Sequence, residues 1–154
     1  MAIFIQFSGI TGSATDESHQ GWSVVDNLSF SCKRSIQTKP GISQDRETGL
    51  PYIGEVELIK QADKASPYIF QNMLDGSSIK TVTIDVCHTG KTLQSQVQYT
   101  LENVLVSHYE DTIDSDSQYQ GSEYITLNFS KIEKKMTPYN STGQAESPIT
   151  VGYD

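Results

Sequence analysis

The chain has 154 residues, 36% of them apolar, and a formal net charge of −8 at neutral pH, with an isoelectric point near 4.7. A domain of this size buries roughly 68–70% of the surface its unfolded chain exposes, so residues 1–154 form a single domain that needs no staples. The acidity excludes nucleic acid and anionic membrane surfaces as partners, because both demand a basic face.

In chain order, Ile3, Ile5 and Phe7 recur at every second position, and Ser8-Gly9 ends that first strand. Residues 12–21 form a polar loop. Trp22 to Ser35 reads as a strand region kinked near Asp26-Asn27, with Leu28, Phe30 and Cys32 on one face and Ser29, Ser31, Lys33 and Ser35 on the other. From Gln37 to Gly54 the chain carries Pro40, Gly41, Gly49, Pro51 and Gly54 with little periodicity, which predicts a long loop; loops of that length are usually functional or disordered. A short strand over Glu55–Ile59 leads to a helix. Ser66 is placed to cap that helix, Pro67 fits the first helical position, and Gly76 supplies a left-handed stop. Ile69, Phe70, Met73 and Leu74 give it one apolar face that should dock on the rest of the domain.

Beyond the helix, Val82, Ile84 and Val86 alternate with Thr81, Thr83 and Asp85, and a turn at His88–Thr92 leads to Val97, Tyr99 and Leu101. The apolar parity flips at Val104 and Val106, which places a bulge at Glu102-Asn103. Residues 110–122 form a second polar loop. Ile125, Leu127 and Phe129 make the next apolar face, Ile132 and Met136 follow after another parity change, and the polar tail from Pro138 reads as an extended arm. Long strands with repeated parity switches suit a sheet that coils on itself. The fold class is mainly β: an antiparallel β-barrel, or two tightly curved sheets, with one short α-helix packed outside.

The chemistry is sparse. Gly90-Lys91-Thr92 matches the end of a phosphate-binding loop, but Asp85 stands where the first glycine belongs, so a hairpin turn is the better reading. His19, His88 and His108 lack a second ligand at metal-binding spacing and read as surface or turn residues. Asp111, Asp114 and Asp116 lack the glycine and closing glutamate of a calcium loop. Cys32 shares parity with Leu28 and Phe30, and Cys87 with Thr81, Thr83 and Asp85. One thiol then faces inward and the other a polar face, so both are free in a reducing compartment. No nucleophile, base and oxyanion donor can be assembled, so the chain is not read as an enzyme; no cofactor or metal is expected. Met1-Ala-Ile-Phe-Ile-Gln-Phe lacks the basic region of a signal peptide, and export through a cleaved signal is not expected.

The ordered set Val56-Glu-Leu-Ile-Lys-Gln-Ala-Asp-Lys-Ala-Ser-Pro67, Gly76, Ile79–Ile84, Tyr99–Ser107 and Ile125–Ile132 closely resembles the haemolysin-coregulated protein (Hcp) family, the tube subunits of bacterial type VI secretion systems. The match includes Gly12-Ser-Ala-Thr-Asp16, His19 and Gly21-Trp22, and spans nearly the whole chain; the Asp16, His19, Trp22 motif reads as structural. Ser13-Ala14 stands where relatives carry Glu-Ser, and Gly152-Tyr-Asp154 where they carry Gly-Trp-Asp. The resemblance implies the same barrel and a homo-hexameric ring that stacks into a tube. It also implies secreted effectors in the lumen, and spike and sheath proteins of the machine as further partners. It implies residence in the bacterial cytoplasm and secretion to the outside or into a target cell. Ser29, Ser31 and Lys33 then either line the lumen and touch effectors or form a solvated outer face. The apolar Ile42, Leu50, Tyr52 and Ile53, with Arg46, are expected to reach across the ring–ring junction, as the equivalent loop does in that family. The rival reading is a monomeric barrel that binds a ligand or serves as a dedicated effector chaperone.

Overall fold

The structure is a computed structural model that describes residues 1–38, 46–90, 92–116 and 121–154. Its elements run β1 (Ala2–Phe7), β2 (Ser23–Ser29), β3 (Cys32–Thr38), β4 (Arg46–Ile53), β5 (Val56–Gln61), α1 (Ser66–Asp75), β6 (Ile79–His88), β7 (Gln94–Thr112), β8 (Ser122–Asn128), β9 (Lys131–Met136) and β10 (Ile149–Tyr153). β1, β2, β5, β8, β7 and β6 pair in that circular order, every pair antiparallel, and close a six-stranded barrel. β9 and then β10 extend the sheet from the first half of β7. No helix among the described residues is long and apolar enough to cross a membrane.

Period-two patterning fills the barrel. Ile5, Ile84, Leu101, Ile125 and Leu127 are fully buried, with Phe7, Val56 and Leu58 nearly so. The parity flip in β7 falls where the sequence places it. Asn103 adopts a left-handed φ of 51°, a conformation asparagine tolerates, and Leu101 and Val104 both point inward around it. Before this corner β7 pairs with β9, and after it with β8. The kink near Asp26-Asn27 is likewise a register shift between Val25 and Asn27.

The helix departs from expectation at both its cap and its face. Ala65 is the N-cap, with no side-chain bond; Ser66 is the first helical residue, and its hydroxyl accepts the Asp63 N–H and donates to the Glu123 carboxylate. Gly76 stops the helix at φ 69°, its N–H bonded to the Asn72 carbonyl. Ile69 is its sole buried residue; Met73 is half-buried, while Phe70 is 46% and Leu74 68% exposed. The helix lies along β7, and this shallow seat admits only the stripe of Ile69 and Met73. Phe70 rests against the Tyr109 ring at 5.4 Å instead of entering the core.

Two stretches read as irregular are strands. Within residues 37–54, β4 pairs with β3 in a separate two-stranded sheet. Pro51 and Gly49 masked its periodicity, and none of the hairpin's described side chains is buried to impose one. The tail turns back through Asn140–Gly143 and adds β10 to β9. Cys32 belongs to the hairpin and is exposed, whereas Cys87 is fully buried, the reverse of their parity reading; both are free thiols.

Candidate functional site

At Phe30-Ser31 the chain leaves the barrel and enters the hairpin. The junction is tight. The Gly54 N–H donates to the Ser31 carbonyl at 2.9 Å, and a Cβ at Gly54 would lie 2.6 Å from that oxygen. Ser29 is exposed on β2 opposite Glu57, Ser31 is exposed in the link, and Lys33 is exposed on β3. The three are therefore distributed over two sheets at the root of the hairpin instead of along one strand.

Lys33 faces Tyr52 across the hairpin, its ammonium 5.4 Å from the ring centroid. Such an exposed cation–π contact contributes about 0.5–1 kcal/mol. Leu50 is 89%, Tyr52 62% and Ile36 56% exposed, and Ile53 is half-buried opposite Cys32. Arg46 begins β4, paired in register with Thr38. Ile42 lies outside the described residues. A second apolar strip escaped the sequence reading altogether: Ile149, Val151 and Tyr153 are exposed on β10, whose far edge has no strand beside it among the described residues.

Two buried polar clusters were also missed. Lys60 and Glu123 are fully buried, opposite one another on β5 and β8, with Nζ 2.9 Å from Oε1. The ammonium also donates to Asp63 Oδ1 at 3.0 Å and to the Gln61 carbonyl at 2.8 Å, which completes its three donors. Burial, with the Glu123 carboxylate nearby, pushes the Tyr109 phenol well above its ordinary range. The signal lay in the parity: Lys60 follows Val56 and Leu58 at spacing two, and Glu123 precedes Ile125 and Leu127 in the same way.

The second cluster sits outside the barrel, on the back of β1 and β6. There Phe4 and Cys87 form a small core with Ala14 from the loop of residues 8–22 and half-buried Trp22. His19, expected at a turn or surface, is 4% exposed, and its ring stacks on Phe4 at 4.2 Å and meets Trp22 edge-on at 4.9 Å. Its Nδ1 lies 2.7 Å from Asp16 Oδ2 and its Nε2 2.7 Å from Asp85 Oδ2. Cys87 Sγ is 3.7 Å from the same Nε2, and the Ser95 hydroxyl donates to the other Asp85 oxygen. Hydrogen bonding to His19 holds the Asp16 carboxyl below the usual carboxylate range; burial, then the Asp85 charge, push the Cys87 thiol up to about 12. His19, Asp85 and Cys87 thus bring three metal-ligating atoms within 4.8 Å of one another. Nothing in the linear spacing of positions 19, 85 and 87 announces this.

Residues 4–136 match a protein family described as type VI secretion system effector, Hcp. No curated protein matches the chain. Among solved structures, a type six secretion system protein superposes with a TM-score of 0.91 at 20% identity, over 99% of this chain and 94% of its own. Hcp1 from Salmonella typhimurium superposes at 0.76 with 20% identity, over 99% and 93%. A type VI secretion system effector from Yersinia pestis superposes at 0.75 with 18% identity, over 99% and 98%. At these identities the likeness establishes a shared fold.

Proposed function

The chain belongs to the Hcp family of type VI secretion proteins, and we propose that it is a structural subunit of the secretion tube. Six copies close head to tail into a ring, rings stack, effectors travel in the lumen, and the subunit is itself exported from the bacterial cytoplasm. Spike and sheath proteins of the machine are its further partners. Its role is structural and not enzymatic.

The observation that carries this reading is the β3–β4 hairpin. Two strands alone are marginal in water, and among the described residues this pair packs mainly on itself while exposing Ile36, Leu50 and Tyr52. A surface of that kind calls for a second chain. Ile42, Arg46, Leu50, Tyr52 and Ile53 are assigned to the ring–ring junction. Ser29, Ser31 and Lys33, at the hairpin root, are assigned to the lumen, where short hydroxyl side chains leave room for cargo. The rival, a barrel holding an apolar ligand, is disfavoured because Ile5, Phe7, Leu58, Ile84 and Ile125 already fill the interior.

Replacing residues 34–51 by a short Gly-Ser turn tests the assignment. The expected outcome is an unchanged barrel by circular dichroism, a single ring by mass photometry and no stacked tubes in electron micrographs. Normal tubes, or loss of the ring, would overturn it; a wild-type chain that stays monomeric at high concentration would overturn the tube reading as a whole.

A further inference from the structure

We propose that His19, Asp85 and Cys87 form a binding site for one divalent ion of the zinc class, which fastens the loop of residues 8–22 to the outer face of β6. The donor set is one imidazole nitrogen, one carboxylate oxygen and one sulfur, all buried, which is the chemistry that selects zinc over calcium or magnesium. In a tetrahedral zinc site, bond lengths of about 2.0–2.3 Å set the ligand atoms about 3.3–3.8 Å apart. The 3.7 Å between Nε2 and Sγ already fits, and the 2.7 Å between Nε2 and Oδ2 must open by about half an ångström or slightly more to meet that spacing.

The outer shell is in place. Asp16 receives the Nδ1–H of His19 at 2.7 Å, which directs the lone pair of Nε2 toward Asp85 and Cys87. Ser95 donates to Asp85 Oδ1 and leaves Oδ2 for the ion. Phe4 and Trp22 fix the plane of the imidazole. Water completes the coordination, and the Asp16 side chain, 26% exposed, marks the way in.

The charges balance. Without an ion, the 2.7 Å contact between Nε2 and Oδ2 is a hydrogen bond that holds one proton, and the free, buried Cys87 thiol holds another. A divalent ion displaces both protons to solvent, so the buried charge is the same before and after. The structural consequence follows from the loop's other ties. Ser13 N–H donates to Asp63 and the Lys64 N–H to the Ser13 hydroxyl, so the same loop already bridges to the β5–α1 turn. An ion at His19 would make this bridge rigid at both ends.

The test uses the full chain, stripped by a chelator, held reduced by a phosphine and titrated with Zn2+ or Co2+ alone. One ion per chain, a higher Tm in excess Zn2+ and a near-ultraviolet thiolate-to-Co2+ absorption band are expected. Cys87→Ser should abolish the band, Cys32→Ser should leave it intact, and Asp16→Asn should weaken binding by about 10–100-fold. Circular dichroism checks that each variant is folded, and the wild-type spectrum does not depend on any of them. No bound ion, a band that survives Cys87→Ser, or one that disappears with Cys32→Ser would each overturn the proposal.

Discussion

The barrel and the β3–β4 hairpin are made of the same antiparallel pairing, yet they end differently. Each barrel strand has a neighbour on both sides, so no edge is left open, and one face of every strand is buried. Among the described residues the hairpin has two strands and no strand beside either outer edge; its described side chains from Cys32 to Gln37 are all exposed. The difference is one of where stability comes from. The closed region carries it in its own interior, while the hairpin must obtain it from something it docks against.

The largest expected effect comes from breaking the barrel at its one fully buried ion pair among the described residues. Lys60→Met strands the Glu123 carboxylate inside the fold and should cost about 3–5 kcal/mol in urea melts. Adding Glu123→Leu should recover most of that loss, because an apolar pair of similar volume is often neutral or better. A single variant as stable as the wild type would mean that water reaches the pair. The helix comes next. Ile69→Ala should cost about 2–5 kcal/mol, since Ile69 is fully buried. Phe70→Ala should cost only about 1 kcal/mol, since half-exposed Phe70 adds little beyond its contact with Tyr109. Equal losses at the two positions would contradict the shallow seat of α1.

The same comparison explains what could be read in advance. Inward-facing barrel positions repeat at spacing two, so the strands, the β7 corner at Asn103 and the Gly76 stop were legible in order. Lys60 and Glu123 share that spacing, and only an aversion to burying charge kept them off the core. Among its described side chains the hairpin has no buried face, so no period-two apolar pattern distinguishes β4 from a loop. His19, Asp85 and Cys87 were illegible for another reason. β1 and β6 are apolar on their inner faces, and the second core on their backs exists only because the loop of residues 8–22 folds over them. Parity gives a residue's side of a sheet, and it cannot say that both sides are covered.

The smallest perturbation sharpens the comparison without disturbing either region. Cys32 stands exposed on the hairpin, while Cys87 lies under the loop with its thiol pushed up to about 12. The thiolate is the reactive form, so the two should differ widely in rate toward an aromatic disulfide reagent. In the isolated, chelator-treated subunit, Cys32 should react at once and Cys87 only as fast as the chain opens. Cys32→Ser should remove the fast phase and change stability by no more than about 0.5 kcal/mol. Assembly then provides the decisive contrast. If the hairpin docks on a neighbouring copy, Cys32 should slow markedly in stacked tubes while the rate at Cys87 stays as it was. Equal rates at the two thiols in the subunit would contradict the burial of Cys87, and an unchanged Cys32 rate in tubes would free the paired Cys32 and Ile53 from the ring–ring junction.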